Sequence, residues 1–432
     1  MAQSANKSCK IVCFVYVTFK VYHNESMNIL FLSAQYPPEA KGGGEISTHI
    51  IAQGLQTLGH TVTVITSGSK QNERHADGVR VITLPLGLQA KPLFERRASK
   101  KASKILCKYI QDFSKYDIVH AHDFRSALML AVCNPKNAVV TARDYAQISG
   151  CTNNIQSDGN IDPGCAGAHE FTTCHRIAEA SFVRKLFRMW QYTYNMRYRK
   201  AAFRCFCYQI FISSAQQKII SAHQDITHQH TAVIYNPIAA EYLAEPLSKS
   251  KTGNVLYIGR GEMYKGVLVL LKAWRELMKT DQRAHLTIAG NGAQYEEYEN
   301  LAATWGMQYR VTFTPHVPYH RLKSLINDSE ILVAPHLWVE PFGRTVIEGM
   351  SRGKLVIASN IGGPAEIIQH NKTGLLFKRG SVEDLKKSLE HALSMNHFDK
   401  KEMGVAARDF VRDNLNMEKI AKEHEEFYRE LR

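Results

Sequence analysis

The chain reads as an α/β protein built from two doubly wound domains in series, and three observations carry that expectation. Short β-branched runs alternate with stretches of helical composition, the alternation restarts once near the middle, and glycine-rich turns follow several of the runs. In the first half the runs are Asn28–Ser33, Thr61–Thr66, Val79–Leu84, Asp117–Ala121, Ala138–Ala142 and Gln209–Ser213. In the second half they are Asn254–Ile258, His285–Ala289, Ile331–Ala334 and Leu355–Ser359. Continuous apolar runs of this length suit strands of a parallel sheet covered on both faces. Ligands of such sheets bind beyond the carboxyl ends of the strands, so two such domains are expected to share a cleft. The boundary falls in residues 240–253, giving a first domain over 27–245 and a second over 246–404. Residues 1–26 read as an extension outside the fold. Their nine-residue apolar run, Ile11 to Phe19, is signal-like in length but lacks a small-x-small cleavage site. A weak membrane-associated segment is the other reading.

Composition narrows the partners. At 432 residues, with 44% hydrophobic and 22% charged content, the chain is long enough for two cores and ordinary for a globular protein. A net charge of +14 points to anionic partners: a nucleotide, a phosphate-bearing lipid surface or nucleic acid. Nine cysteines do not form an evident disulfide framework, which favours a reducing, cytoplasmic setting. No stretch reaches the about 18 apolar residues of a spanning helix.

In the first domain, the turn after Ser33 runs through Gly42, Gly43 and Gly44 into an amphipathic helix. Three glycines at a helix start permit close backbone approach to a ligand, although an isolated triple glycine also suits a flexible turn. The next two strand ends carry His120 and His122, then Arg143 and Asp144. Polar groups there face the expected cleft, and ordinary packing is the competing reading for the histidines. Cys151, Cys165 and Cys174, with His169 or His175, offer ligands for zinc or a cluster, but lack paired C-x2-C spacing. Ser181 to Arg204 contains Phe182, Leu186, Trp190 and Tyr194 at helical spacing. Arg184, Lys185, Arg188, Arg197, Arg199, Lys200 and Arg204 accompany them, with no intervening acid. Together with Arg96, Arg97, Lys100, Lys101 and Lys104, this fits an anionic membrane surface; a core helix with a solvated face is the alternative. No nucleic-acid-binding module is evident.

The second domain carries the more specific pattern. Gly259-Arg260 and Lys265-Gly266 follow a strand and open a helix, where a guanidinium and an ammonium can neutralise a diphosphate. Gly290 and Gly292 end the next strand with small residues. Glu340 and Glu348 then stand eight residues apart around Pro341-Phe342-Gly343-Arg344, with a helix expected from Thr345 to Arg352. Amides at a helix start attract anions, and carboxylates accept paired hydrogen bonds from vicinal diols. Asn360-Ile361-Gly362-Gly363 forms a further turn, with Glu366 placed to begin or orient the helix after it.

These residues resemble the signature of the retaining, family 4 (group 1) glycosyltransferases of GT-B fold. The resemblance runs from Met27 to about Leu431. It is strongest over residues 254–376, and the final helix, about 405–432, is expected to pack back on the first domain. It implies a nucleotide-sugar donor (UDP-, GDP- or ADP-linked) and a glycan or lipid-linked acceptor. Arg260, Lys265 and Glu340 would be the catalytic group. Gly43, Gly44, Gly259, Gly290, Gly292, Phe342, Gly343, Arg344, Thr345 and Glu348 would bind the donor. Relatives carry a histidine where this chain has Arg143, so His120, His122 and Arg143 become candidate sugar or acceptor contacts. Some relatives also carry a three-cysteine loop here.

With no Asp-x-Asp pair in the chain, no metal-bridged diphosphate and no cofactor are expected. The function expected is a retaining, metal-independent transferase of polysaccharide or glycolipid synthesis, cytoplasmic or peripheral on the inner face of a membrane. A soluble sucrose- or trehalose-type synthase, a sugar-nucleotide epimerase and a non-enzymatic membrane-binding protein on the same fold are the competing readings.

Overall fold

The computed structural model describes residues 25–432 apart from residues 41, 90–93, 150–181, 248–249, 282 and 316. The described part of the extension, Glu25 and Ser26, is tied to the fold, Ser26 Oγ donating to the Gly59 carbonyl at 2.7 Å. The candidate ligands Cys151, Cys165 and Cys174 lie outside the described residues.

The first domain is built on an eight-stranded sheet. Its elements are β1 (Asn28–Ser33), α1 (Gly43–Thr57), β2 (Thr61–Ser67), β3 (Asn72–Ala76), β4 (Val79–Leu84), α2 (Glu95–Ile110) and β5 (Ile118–Ala121). They continue with α3 (Phe124–Cys133), β6 (Ala138–Ala142), α4 (Phe182–Arg204), β7 (Tyr208–Phe211), α5 (Ser214–His223), β8 (His230–Val233) and α6 (Ala240–Ala244). The strand order is β3-β4-β2-β1-β5-β6-β7-β8, parallel except for the edge strand β3. The six expected strands are present. The two that the apolar pattern did not reveal, β3 and β8, are the sheet's edges, where one side meets solvent and the apolar demand is weaker.

The second domain holds a six-stranded parallel sheet of order β11-β10-β9-β12-β13-β14. Its elements are β9 (Asn254–Ile258), α7 (Val267–Leu277), β10 (His285–Gly290), α8 (Tyr295–Thr304), β11 (Val311–Pro315), α9 (Tyr319–Asp328) and β12 (Ile331–Ala334). Then come α10 (Arg344–Ser351), β13 (Leu355–Ser359), α11 (Gly363–Ile367), β14 (Leu375–Phe377) and α12 (Val382–Ser394). Here too the unread strands, β11 and β14, are the edges. Strands β12 and β13, buried at every position, pack with α10 in a core that also takes in Ile50, Ile212 and Ile238 of the first domain. The interface between domains is therefore partly apolar.

The end of the chain divides in two. α13 (His397–Asn414) stays on the second domain against α10, burying Ala407 and Val411. α14 (Met417–Arg429) alone returns to the first domain. The break has a local cause: the Asn416 side chain accepts from the Lys419 amide and starts a new helix, while the Leu415 carbonyl accepts from Ile238 N at 2.8 Å. α14 lies close on α1 at Gly54, where an added Cβ would stand 2.8 Å from that of Ala421. The expected return of residues 405–432 is thus a crossing at 415–417. None of the described helices is long and apolar enough to cross a membrane.

Candidate active site

The loops at the carboxyl ends of β9 and β12 bring Lys265 and Glu340 together. Gly266 holds a φ of +78° between the Lys265 turn and α7, and a side chain there would collide with the Pro335 carbonyl. Lys265 Nζ stands 2.7 Å from Glu340 Oε2, and Trp338 Nε1 donates to the same oxygen at 2.9 Å. The ammonium also lies 4.8 Å from the Trp338 ring centroid, over its electron-rich face. His336 Nδ1 is 3.6 Å from Glu340 Oε2. Burial pushes the Glu340 carboxyl up, but Lys265 and His336 more than offset it and hold the group below its ordinary value. His336, driven down to about 4 mainly by burial, is neutral at physiological pH. The site thus carries one cation, one anion and an aromatic face within a few ångströms.

Glu348 lies on α10 and is buried. Its Oε1 accepts from Arg344 Nε at 2.9 Å, a pair one helical turn apart. Burial raises the Glu348 carboxyl above its ordinary value, and Arg344 offsets only part of that. Arg344 also crosses the cleft, donating from a terminal nitrogen to Ser47 Oγ on α1 at 3.0 Å. A Cβ on Gly43 would sit 3.1 Å from the Arg344 side chain, so the glycine start of α1 is what lets this arginine approach. Thr345 is half-buried in the first turn of α10.

Other expected donor residues occupy different surroundings. Gly290 and Gly292 leave room for a neighbouring loop, since added Cβ atoms would strike the backbones of Gly259 and Gly261. Phe342 is buried, its ring 5.8 Å from that of Tyr235, and it joins the interdomain core. Gly343, at φ +92°, caps α10 and abuts Pro364. Arg260 is largely exposed and paired with Glu262 at 2.5 Å. In this arrangement Arg260 is not part of the Lys265–Glu340 cluster.

Arg143 takes a central place on the first domain's side. Its guanidinium donates to the Asn236 side chain, to the His122 carbonyl at 3.3 Å and to Thr48 Oγ1 at 3.4 Å, with His122 Nδ1 at 3.0 Å. Burial pushes it down to about 10, so it remains a cation. Both His120 nitrogens are engaged, Nδ1 with the Tyr428 hydroxyl at 2.6 Å and Nε2 with Thr141 Oγ1 at 2.7 Å. His120 thereby docks α14. The His122 ring lies against it, tilted, with centroids 3.9 Å apart, and burial holds both well below the ordinary imidazole value.

Two groups escaped the sequence reading. Glu366, expected to begin or orient the helix after it, lies within α11 and spans the cleft, accepting from the amides of Ser214 and Ala215 at 3.0 and 2.5 Å and from the Tyr235 hydroxyl at 3.0 Å. Trp338 stands only two residues before Glu340, so an aromatic beside that carboxylate was legible in the sequence. Beside the glycine loop lies an open cleft of about 740 Å³ lined by Gln35, Glu39, Gln71, Asn72, Arg74 and Gln89 among others. No cluster able to hold a metal occurs among the described residues.

Away from the cleft, α4 divides its charges. Arg199 is buried against Glu95 in a two-pronged ion pair, its Nε donating at 2.7 Å, which removes it from the basic surface expected of this helix. Arg184, Arg188, Arg197 and Arg204 are exposed, as are Leu186, Phe187 and Trp190.

The sequence profile of glycosyl transferases group 1 matches residues 240–410, and that of Glycosyltransferase Family 4 matches residues 41–153. An uncharacterised glycosyltransferase of Methanocaldococcus jannaschii is 26% identical over 422 residues, covering 93% of this chain and 98% of its own. Sucrose-phosphate synthase from Thermosynechococcus elongatus superposes with a TM-score of 0.68 at 19% identity, over 94% of this chain and 99% of that one. Anabaena HepE in complex with UDP-glucose gives 0.64 at 18%, over 94% and 100%. The two-domain fold is GT-B.

Proposed function

We propose that this chain, which belongs to the group 1 (family 4) glycosyltransferases of GT-B fold, moves a sugar from a nucleotide-sugar donor to a glycan or lipid-linked acceptor with retention of anomeric configuration. The carrying observation is the Lys265–Glu340 pair beneath Trp338, at the carboxyl ends of β9 and β12. When a nucleoside diphosphate departs, negative charge develops on its oxygens, and a preorganised ammonium stabilises it without solvent reorganisation. Glu340, kept ionised, accepts hydrogen bonds from sugar hydroxyls. Glu348 is assigned the ribose hydroxyls, and Arg344 holds both Glu348 and the start of α1 in register. Arg260, exposed and paired with Glu262, is assigned to the leaving diphosphate as a second cation. Closure of the two domains excludes water from the reacting bond. The reading needs no metal, since the chain's own cations supply the charge.

The polar cleft beside the glycine loop fits the acceptor, with amides and hydroxyls suited to polyol recognition. The exposed Leu186, Phe187 and Trp190 among arginines on α4 favour an acceptor presented at an anionic, cytoplasmic membrane face. A soluble sugar acceptor, as in sucrose-phosphate synthase, is the second reading.

The test is thermal stabilisation of the purified protein by UDP-, GDP- and ADP-sugars, with Glu348→Ala alongside. Stabilisation by one nucleotide series, lost in the variant, is expected. A folded protein that no donor stabilises at saturation would remove the transferase reading.

A further inference from the structure

The last turns of α2 and α3 pack side by side and bring two free thiols together. Cys107 Sγ lies 2.8 Å from Cys133 Sγ. A disulfide bond is about 2.05 Å long, so the sulfurs need to close by less than about 1 Å. Cys107 is exposed and Cys133 half-buried, which gives the pair one sulfur open to a reagent and one sheltered behind it. Burial and the neighbouring Cys107 push the Cys133 thiol up, so Cys133 keeps its proton until its partner has reacted. Arg96, Arg97, Lys100, Lys101, Lys104 and Lys108 are exposed on the same helix as Cys107 and make its approach electropositive. An anionic reagent is drawn to such a surface.

We propose that Cys107 and Cys133 are a redox-active dithiol that closes to an intramolecular disulfide by exchange with a small anionic disulfide of the oxidised-glutathione kind. The Cys107 thiolate attacks one sulfur of the reagent, expelling a thiolate that takes up a proton and leaving a mixed disulfide. Cys133 then loses its proton to solvent and attacks the Cys107 sulfur. The second reagent thiolate departs and is protonated in turn. Two protein thiols are oxidised by two electrons, and one reagent disulfide is reduced to two thiols. The bond staples α2 to α3 around β5 and constrains the unfolded chain. Cys205 and Cys207, free and exposed, serve as internal controls.

The full-length protein is incubated with oxidised glutathione, alkylated, digested without reduction and mapped by mass spectrometry. A peptide joining Cys107 to Cys133 is expected, with Tm raised by about 5 °C and reversed by dithiothreitol. In Cys133→Ser, Cys107 should instead retain the glutathione adduct. Cystamine, a cationic disulfide, should react several-fold more slowly, the gap narrowing in high salt. If Cys133→Ser does not fold, Cys107→Ser is used, and Cys133 should then stay unmodified. A wild-type protein whose Cys107 keeps a stable glutathione adduct, with no linked peptide, overturns the proposal. So does rapid modification of Cys133 in Cys107→Ser.

Discussion

Glu366 and Ala215 belong to different domains, yet the carboxylate of the first accepts the backbone amide of the second at 2.5 Å. With Ser214 N also bonded, Glu366 occupies the amino terminus of α5, where orphan amides and the helix dipole favour an anion. Tyr235 supplies a third donor. Glu366 is thus a charged latch between the domains, alongside the Arg344–Ser47 contact and the shared apolar core.

Glu366→Ala should therefore loosen closure. Charge-assisted hydrogen bonds contribute about 1.5–3 kcal/mol, which sets an expected loss of about tenfold or more in kcat/KM. Small-angle scattering should show a larger radius of gyration for the variant. Unchanged kinetics with an unchanged radius would show that the apolar interface alone holds the domains.

Lys265→Met removes the cation beside a buried carboxylate. Turnover should fall about 10²–10³-fold, the scale of losing one transition-state charge partner. Stability also reports on the pair. The folded value of Glu340 lies below its ordinary 4.5, so the pair contributes above that value and the contribution is lost as pH falls through the folded one. The variant's Tm deficit should be full at pH 7 and shrink toward pH 4. A deficit independent of pH would place the stabilisation elsewhere.

The three imidazoles of His120, His122 and His424 sit between β5 and α14 beside Arg143 and Tyr428, and burial lowers all three. His424 falls to about 4. Unfolding lets each bind a proton below its ordinary 6.5, so stability is full above pH 6.5 and declines as pH drops below it. Each contributes a slope of up to about 1.4 kcal/mol per pH unit. Chemical denaturation at pH 7.5 and 5.5 should show the loss, and His424→Leu should flatten it by about one such slope. Equal stability at the two pH values would mean that the cluster is charged when folded.

Glu95→Ala leaves Arg199 buried without its carboxylate, facing the Ala146 and Ser149 carbonyls at 2.8 and 3.0 Å and the Phe124 ring. Stripping one partner from a buried pair costs about 3–5 kcal/mol, measurable by urea unfolding. By contrast, Phe187→Ser with Trp190→Ser should leave unfolding nearly unchanged while cutting sedimentation with anionic vesicles several-fold. Full vesicle binding by that double variant would move the membrane contact off α4.

The sequence by itself determined the two doubly wound, largely parallel sheets in series and the strands at their centres. Apolar runs such as Leu355–Ser359 are long enough to need cover on both faces, and glycine turns mark strand ends whatever the tertiary context. It did not reach the edge strands, whose outer sides need no apolar residues. It also could not say which polar groups meet. Lys265 and Glu340 are 75 positions apart, Arg344 and Ser47 are 297, and His120 and Tyr428 are 308. A pairing between such distant positions depends on how two domains and a returning helix close, and the residues carry no local periodicity that records it. Burial likewise belongs to the assembled fold. It turned His120 from a candidate sugar contact into the seat of α14, put Arg199 into an ion pair, and sent Glu366 across the cleft, because a polar group shut away from water must find a partner wherever the fold supplies one.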